Sequence, residues 1–280
     1  MLHRRTFLSL AAAVVGIGLS AGIAAAQTVP VPAPGASARI DAIKKAGQLR
    51  VGVLANPPWL VENTTGSGEA WSGPAWTLVK QYAKLLDVKL VPVPVSHETK
   101  VPVLAANQVD ITVSPLSVTK ARQQVVDFVT YSKTALCVFG RADNPKVANA
   151  TSIDDFNRED VTIAYFTGGG EENWAKERFP KAKLRGVTSA GTAAPVEEIM
   201  AKRADVTPIN RIPWVALNRK VKGLAALPKG NNCQDSTEAA TEIGLAIDKN
   251  QPEFLAWLQA VTTPLLPSLL AEEEKIVSTM

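Results

Sequence analysis

Residues 110–128 read Asp-Ile-Thr-Val-Ser-Pro-Leu-Ser-Val-Thr-Lys-Ala-Arg-Gln-Gln-Val-Val-Asp-Phe, a spacing that can hold an anion. Residues 110–113 have the pattern of a buried strand end, 114–119 of a hydroxyl-rich turn, and 120–126 of a short helix. Hydroxyls and backbone N–H groups at a helix start already point their hydrogens outward at a ligand. A guanidinium one turn in adds two parallel N–H donors that match a carboxylate. Ser114, Ser117 and Arg122 are therefore the candidate carboxylate ligands. The competing reading of the same residues is a Ser/Thr-capped helix with an arginine on its surface.

Two other stretches could meet a small molecule. Trp59 follows Pro57-Pro58, which stiffen the backbone, so its indole can stand on a loop and cover an apolar or cationic group. Thr167 precedes Gly168-Gly169-Gly170, which lets the chain approach a ligand closely and turn into a helix carrying Glu171, Glu172 and Trp174. A turn that simply needs positive φ explains the glycines equally well. The Gly-Lys-Ser/Thr ending of a nucleotide P-loop is absent.

Histidine is scarce: only His3 and His97 occur. Ser-His and Cys-His nucleophiles and His-ligated metals need a histidine in the right place, so neither a metal nor another cofactor is expected. His97, between a strand-like run and a helical one, is expected to face solvent. Cys137 and Cys233 match no metal spacing. In an oxidising compartment they are free to pair, but Cys137 also reads as a small buried apolar residue.

Residues 1–26 have the order of an export signal: basic His3-Arg4-Arg5, an apolar run, and Ala24-Ala25-Ala26 as a small-x-small cleavage site. Arg4-Arg5-Thr6-Phe7-Leu8 resembles the twin-arginine motif, with His3 and Ser9 replacing its serine and lysine, so the twin-arginine and general secretory routes both stay open. No cysteine stands at the cleavage point for a lipid anchor. Cleavage there lowers the formal net charge from +4 to +2, too little for a nucleic-acid footprint. No second apolar run is read as membrane-spanning.

Residues 27–38 are a Pro-rich leader expected to be flexible. Behind it, helical and strand periods alternate. An amphipathic helix at 38–46 is followed by strands at 49–54, 89–95 and 110–113 with helical spacing between. A second set has strands at 161–166, 183–187, 205–209 and 243–247, and amphipathic helices close the chain. This alternation predicts an α/β fold with parallel sheet and helices on its faces.

Four segments in order resemble family 3 solute-binding proteins, the periplasmic amino-acid receptors of ABC transporters. These are the anion segment above, Gln48-Leu-Arg-Val-Gly-Val-Leu-Ala-Asn-Pro-Pro-Trp59, Val161-Thr-Ile-Ala-Tyr-Phe-Thr-Gly-Gly-Gly170 and Arg203-Ala-Asp-Val-Thr-Pro-Ile-Asn210. The resemblance spans residues 39–276 and implies a two-lobed, type II periplasmic-binding-protein fold. Lobe 1 then holds residues 39–138 and 243–280, lobe 2 holds 139–242, and two hinge crossings join them. It also implies the ligand set Trp59, Ser114, Ser117, Arg122, Thr167, Gly168, Gly169 and Asn210. Relatives have an acid at the position of Asn210, where it takes the α-ammonium of an amino acid. Asn offers a neutral amide, so a carboxylate- or amide-bearing solute without a free α-amine is expected.

The function implied is a periplasmic, monomeric receptor that closes on a small carboxylate-bearing solute, an amino acid or related organic acid, and docks on an inner-membrane ABC permease. The enzymatic alternative is a cyclohexadienyl (prephenate/arogenate) dehydratase of the same fold. It needs an acid to protonate the departing hydroxyl, for which Glu172 and Glu242 are the candidates.

Overall fold

The computed structural model describes residues 29–188 and 194–280, so the export signal and its cleavage site lie outside the described residues. Along the chain run β1 (Gln48–Val53), β2 (Val61–Glu62), β3 (Trp71–Ser72), β4 (Lys89–Pro94), β5 (Ile111–Ser117), β6 (Val126–Thr134), β7 (Leu136–Arg141), β8 (Thr162–Phe166), β9 (Lys183–Val187), β10 (Val206–Asn210), β11 (Leu224–Leu227) and β12 (Thr241–Asp248).

The ordinary rules of patterning build the first lobe. Ser37 accepts a hydrogen bond from Ile40 N to start the helix Ala38–Ala46, and Gly47, at φ 65°, ends it. Apolar Leu49, Val51 and Val53 then form a buried strand, on which the helix Pro74–Leu86 lays Leu78, Val79, Tyr82 and Leu86. The resulting sheet has the order β4-β1-β5-β12-β6, parallel through β4, β1 and β5 and antiparallel at β12 and β6. A second sheet, β11-β7-β10-β8-β9, makes the other lobe. It is parallel through β10, β8 and β9, and antiparallel where β7 meets β10 and β11. Phe156, Phe179 and Trp214 fill its cores.

Several expectations change here. Ser114 to Ser117 is strand rather than turn, because the distant β12 supplies a ladder: Ile243 pairs with Ser117 and Gly244 with Leu116. The helix after it is a single turn, Lys120–Gln123, and Val126 already belongs to β6. The chain leaves lobe 1 at Ala135 and β7 lies wholly in the second sheet, so the second lobe begins at Leu136 rather than at the expected residue 139. The return crossing falls just before β12. The two crossings are tied together by Leu136 N donating to Glu238 O at 2.8 Å.

The described part of the leader is not a loose arm. Val29 and Val31 pack against the lobe 1 core, and Gly35 N donates to Asp41 at 2.9 Å. Residues Pro252–Thr279 are long and apolar enough to cross a membrane by length and composition. Phe254, Trp257, Leu258, Val261 and Leu269 nevertheless bury their side chains in lobe 1, which accounts for that apolarity as core packing.

Cys137 and Cys233 form a disulfide, with Cα atoms 6.0 Å apart and a sequence separation of 96. It pins the turn Gly230–Cys233, which precedes the return crossing, to β7. Cross-linking a long loop restricts the unfolded chain, so Cys137→Ala/Cys233→Ala should lower unfolding free energy by about 2–5 kcal/mol. Urea denaturation reads the change directly, and an unmoved midpoint would show that the bridge adds nothing to stability.

Candidate functional site

The ends of β5, β8 and β10 and the loop after β4 surround a cavity of about 380 Å³ between the lobes. Lobe 1 contributes Asn56, Pro57, His97, Lys100, Ser117, Arg122 and Ile243, and lobe 2 contributes Phe166, Gly170, Glu171, Asn210 and an apolar wall. That wall includes Ile209, Pro213, Leu217 and Val221. The lobes touch across the cleft, with the His97 and Phe166 rings stacked at 4.4 Å and 19°. The conformation described is therefore a closed one.

Strand period decides which hydroxyl reaches the cavity. Pro115 and Ser117 line it, whereas Ser114, one residue out of phase and 1% exposed, turns away. Thr119 rather than a serine caps the short helix, accepting from Arg122 N at 3.3 Å. Arg122 reaches back so that its Nη1 donates to Ser117 O at 3.0 Å. Burial holds its guanidinium below the usual arginine range, with the Glu171 charge opposing that fall. Facing it across the cleft is Gly170, where a Cβ would lie 3.3 Å from Arg122 Nη1.

Trp59, expected on the cleft, is 0% exposed inside lobe 1. Its Nε1 donates to Ser132 Oγ at 3.1 Å and Glu273 Oε2 at 3.0 Å. The stiff Pro-Pro loop directs the indole inward and presents Asn56 and Pro57 instead. Burial pushes the Glu273 carboxyl above its ordinary range, while Ser132 and Trp59 oppose the shift. Trp76 is likewise in the lobe 1 core.

The glycine turn also divides its roles. Thr167 does not line the cavity: its N donates to Val187 O at 3.1 Å and its Oγ1 sits beside Gly186. Gly168 and Gly169 are absent from the lining too. Gly169 is a buried N-cap residue for the helix Gly170–Arg178. Gly168, at φ 74°, meets the opposite lobe, where a Cβ would come within 3.0 Å of His97 O and Glu98 Cα. Gly168→Ala should therefore obstruct closure and weaken ligand binding by about 1–2 kcal/mol, the scale of a small overpacking strain felt in the closed state. Titration calorimetry giving an unchanged affinity would show that this contact tolerates a methyl group.

Asn210 does line the cavity. It ends β10, pairs with Leu136 beside the first crossing, and is 8% exposed. It precedes the helix Arg211–Lys220 without capping it, and its Oδ1 is buried with no partner. A buried polar atom left unpaired in this way is costly and marks a place where a ligand donor fits. Arg211 is committed elsewhere: its Nη1 donates to Gln234 O and Ser236 O, and its backbone N to Ala135 O. Asp205 is structural, accepting from Thr162 N, Asn144 and Lys146.

Sequence reasoning missed two residues. Lys100 is 4% exposed yet lines the cavity, and burial, reinforced by the Arg122 charge, pulls its ammonium down to about 7. His97, expected to face solvent, is half-buried with Nε2 unpartnered, and burial takes its imidazole down to about 4. The local pattern around residues 96–100 carried no signal for either, because their neighbours Glu98 and Thr99 are exposed. The acids considered for a dehydratase are both off the cavity. Glu172 binds Gly168 N at 2.7 Å and Lys176 at 2.6 Å, and Glu242 is exposed on β12. Among the described residues no group of three or more His, Cys, Asp or Glu is placed to hold a metal ion.

A family model described as bacterial extracellular solute-binding proteins, family 3, matches residues 49–267. Among solved structures, an ancestral amino-acid-binding protein, a precursor of cyclohexadienyl dehydratase, is similar at 27% identity and a TM-score of 0.72, covering 85% of this chain and 99% of that one. The binding component of an ABC transporter from Wolinella succinogenes DSM 1740, complexed with lysine, aligns at 26% identity and a TM-score of 0.68, covering 82% and 96%. An amino acid ABC transporter substrate-binding protein from Streptococcus pneumoniae Canada MDR_19A, bound to L-arginine, shares the fold at 21% identity and a TM-score of 0.72, covering 86% and 98%. Comparison with curated proteins finds no match.

Proposed function

This chain belongs to the family 3 bacterial extracellular solute-binding proteins, and from that premise we propose that it is the periplasmic receptor of an ABC importer, closing on a small carboxylate that lacks a free α-amine. The observation that carries this reading is the pairing of a half-buried Arg122 with an unpartnered Asn210 Oδ1 in one interlobe cavity. Arg122 clamps the carboxylate, Ser117 adds a hydroxyl, and the free N–H groups of the helix beginning at Gly170 face the same charge. The amide of Asn210 receives a neutral donor of the solute where an ammonium-binding relative needs an acid.

Transport rather than turnover is favoured by the positions of Glu172 and Glu242, neither of which reaches the cavity. Contacts to both lobes tilt the protein toward its closed form, which an inner-membrane permease then recognises. The related lysine- and arginine-bound receptors support the transport role; Asn210 itself supplies no counter-charge for an α-ammonium, and Glu171 is the acid in the cavity.

A thermal-shift series of organic acids and amino acids, followed by small-angle scattering on the best stabiliser, tests this. Saturating ligand should reduce the radius of gyration, as an open cleft closes to the arrangement described. Equal radii with and without saturating ligand would remove hinge closure. Conversion of prephenate to phenylpyruvate would replace the receptor with an enzyme.

A further inference from the structure

Arg122 is not the only cation in the cavity. Lys100 and Lys220 line it as well, and Glu171 is the one acid among the described lining residues. Lys100 and Arg122 take part in no ion pair among the described residues. The hydrogen-bond partner of Lys100 Nζ is His97 Nδ1, at 3.4 Å. A protonated Lys100 can only donate, so in that state Nδ1 accepts, the imidazole proton sits on Nε2, and Nε2–H is buried without a partner. An ammonium so far removed from water is costly to keep charged unless an anion joins it. Lys100 and His97 thus offer the cavity donors beyond those of Arg122, with carbon-rich Phe166, Leu217 and Val221 able to flank a ligand skeleton.

We propose that Lys100 and His97 form a second anion subsite beside Arg122, so that the solute is a dicarboxylate with one carboxylate on Arg122 and the other on Lys100 and His97. This rests on the carboxylate-receptor reading above and narrows its solute class. Without a second carboxylate the buried Lys100 ammonium has no ion-pair partner among the described residues. With one, Lys100 is held protonated by its ligand and His97 Nε2–H gains an acceptor.

Calorimetry on the wild-type protein with matched pairs tests the proposal: succinate against butyrate, glutarate against valerate, phthalate against benzoate. At least one dicarboxylate should bind about tenfold or more tightly than its monoacid, a difference of about 1.4 kcal/mol. Lys100→Met should cut the affinity of the diacid more than that of its monoacid, so that the tenfold advantage shrinks towards parity. Monoacids that bind as well as their diacids in the wild type would overturn the second subsite and leave the receptor standing. That comparison needs no variant, so a poorly folding Lys100→Met protein does not rescue the idea. A Lys100→Met protein that keeps the full diacid preference would assign the second carboxylate elsewhere and also overturn it. Failure of every carboxylate to bind would overturn this proposal together with the reading beneath it.

Discussion

Arg122→Ala is expected to weaken binding of the carboxylate solute by about 2–5 kcal/mol, the cost of stripping one partner from a buried hydrogen-bonded charge pair. The guanidinium sits below its ordinary pKa range because burial has already removed much of its water, so the ligand carboxylate becomes its main source of compensation. Its Nη1 is fixed by Ser117 O at 3.0 Å, which preorganises the fork before ligand arrives. Arg122→Lys should recover little, because a point ammonium cannot reproduce two parallel N–H bonds and would forgo the anchor on Ser117 O. The loss should appear in the dissociation constant with little change in melting temperature of the free protein. Wild-type affinity in Arg122→Ala would place the carboxylate elsewhere.

Asn210→Asp should change what the cleft prefers. The Oδ1 atom already lies buried and unpartnered at the cavity edge. A carboxylate there stabilises an α-ammonium and repels a nearby anion. Breaking or making a buried pair is worth about 3–5 kcal/mol, so the preference for an α-amino acid over its deaminated analogue should rise by two to three orders of magnitude, in round terms. Competition titrations with such a matched pair measure this ratio directly. A ratio unmoved by the substitution would show that Asn210 does not face the solute's substituent on Cα. The backbone leaves little room for such an escape. Pro208 does not bend β10 away: the strand keeps register from Val206 with Gly140 to Asn210 with Leu136.

The residues that sequence made legible are those whose role is local. Ser117 and Asn210 sit at strand ends and Arg122 in the one-turn helix just after β5, where period and register fix direction within a few residues. Gly168 was legible as a close approach, but what it approaches is the His97–Glu98 backbone of the other lobe, a fact held in tertiary structure alone. Trp59 failed for the opposite reason. A tryptophan after two prolines reads as displayed, yet Ser132 and Glu273, far along the chain, give its N–H a buried home. Strand β6 was missed because its apolar residues are broken by Asp127, Ser132 and Lys133, and its stability comes from pairing with β12 over Thr241–Asp248. Lys100 was invisible for the most general reason. A lysine reads as solvent-facing by default, whereas this one is buried in the fold and lines the interlobe cavity.

The disulfide was open in the sequence because pairing depends on geometry that spacing does not encode. In the folded protein it holds the segment before the return crossing against β7, next to the strand that carries Asn210. Closure therefore pivots between two crossings that are themselves tethered, by Leu136 N to Glu238 O and by Arg211 N to Ala135 O. On the receptor proposed above, this arrangement favours a hinge motion that brings Arg122 of one lobe and Asn210 of the other to the same solute.

The most direct measurement is a calorimetric titration of the signal-free protein with an α-amino acid and with its carboxylate analogue lacking the α-amine. The receptor described here should give saturable one-to-one binding of the analogue, lost in Arg122→Ala, with the amino acid weaker. Tight binding of the unmodified amino acid, or no saturable heat with any carboxylate, would contradict it.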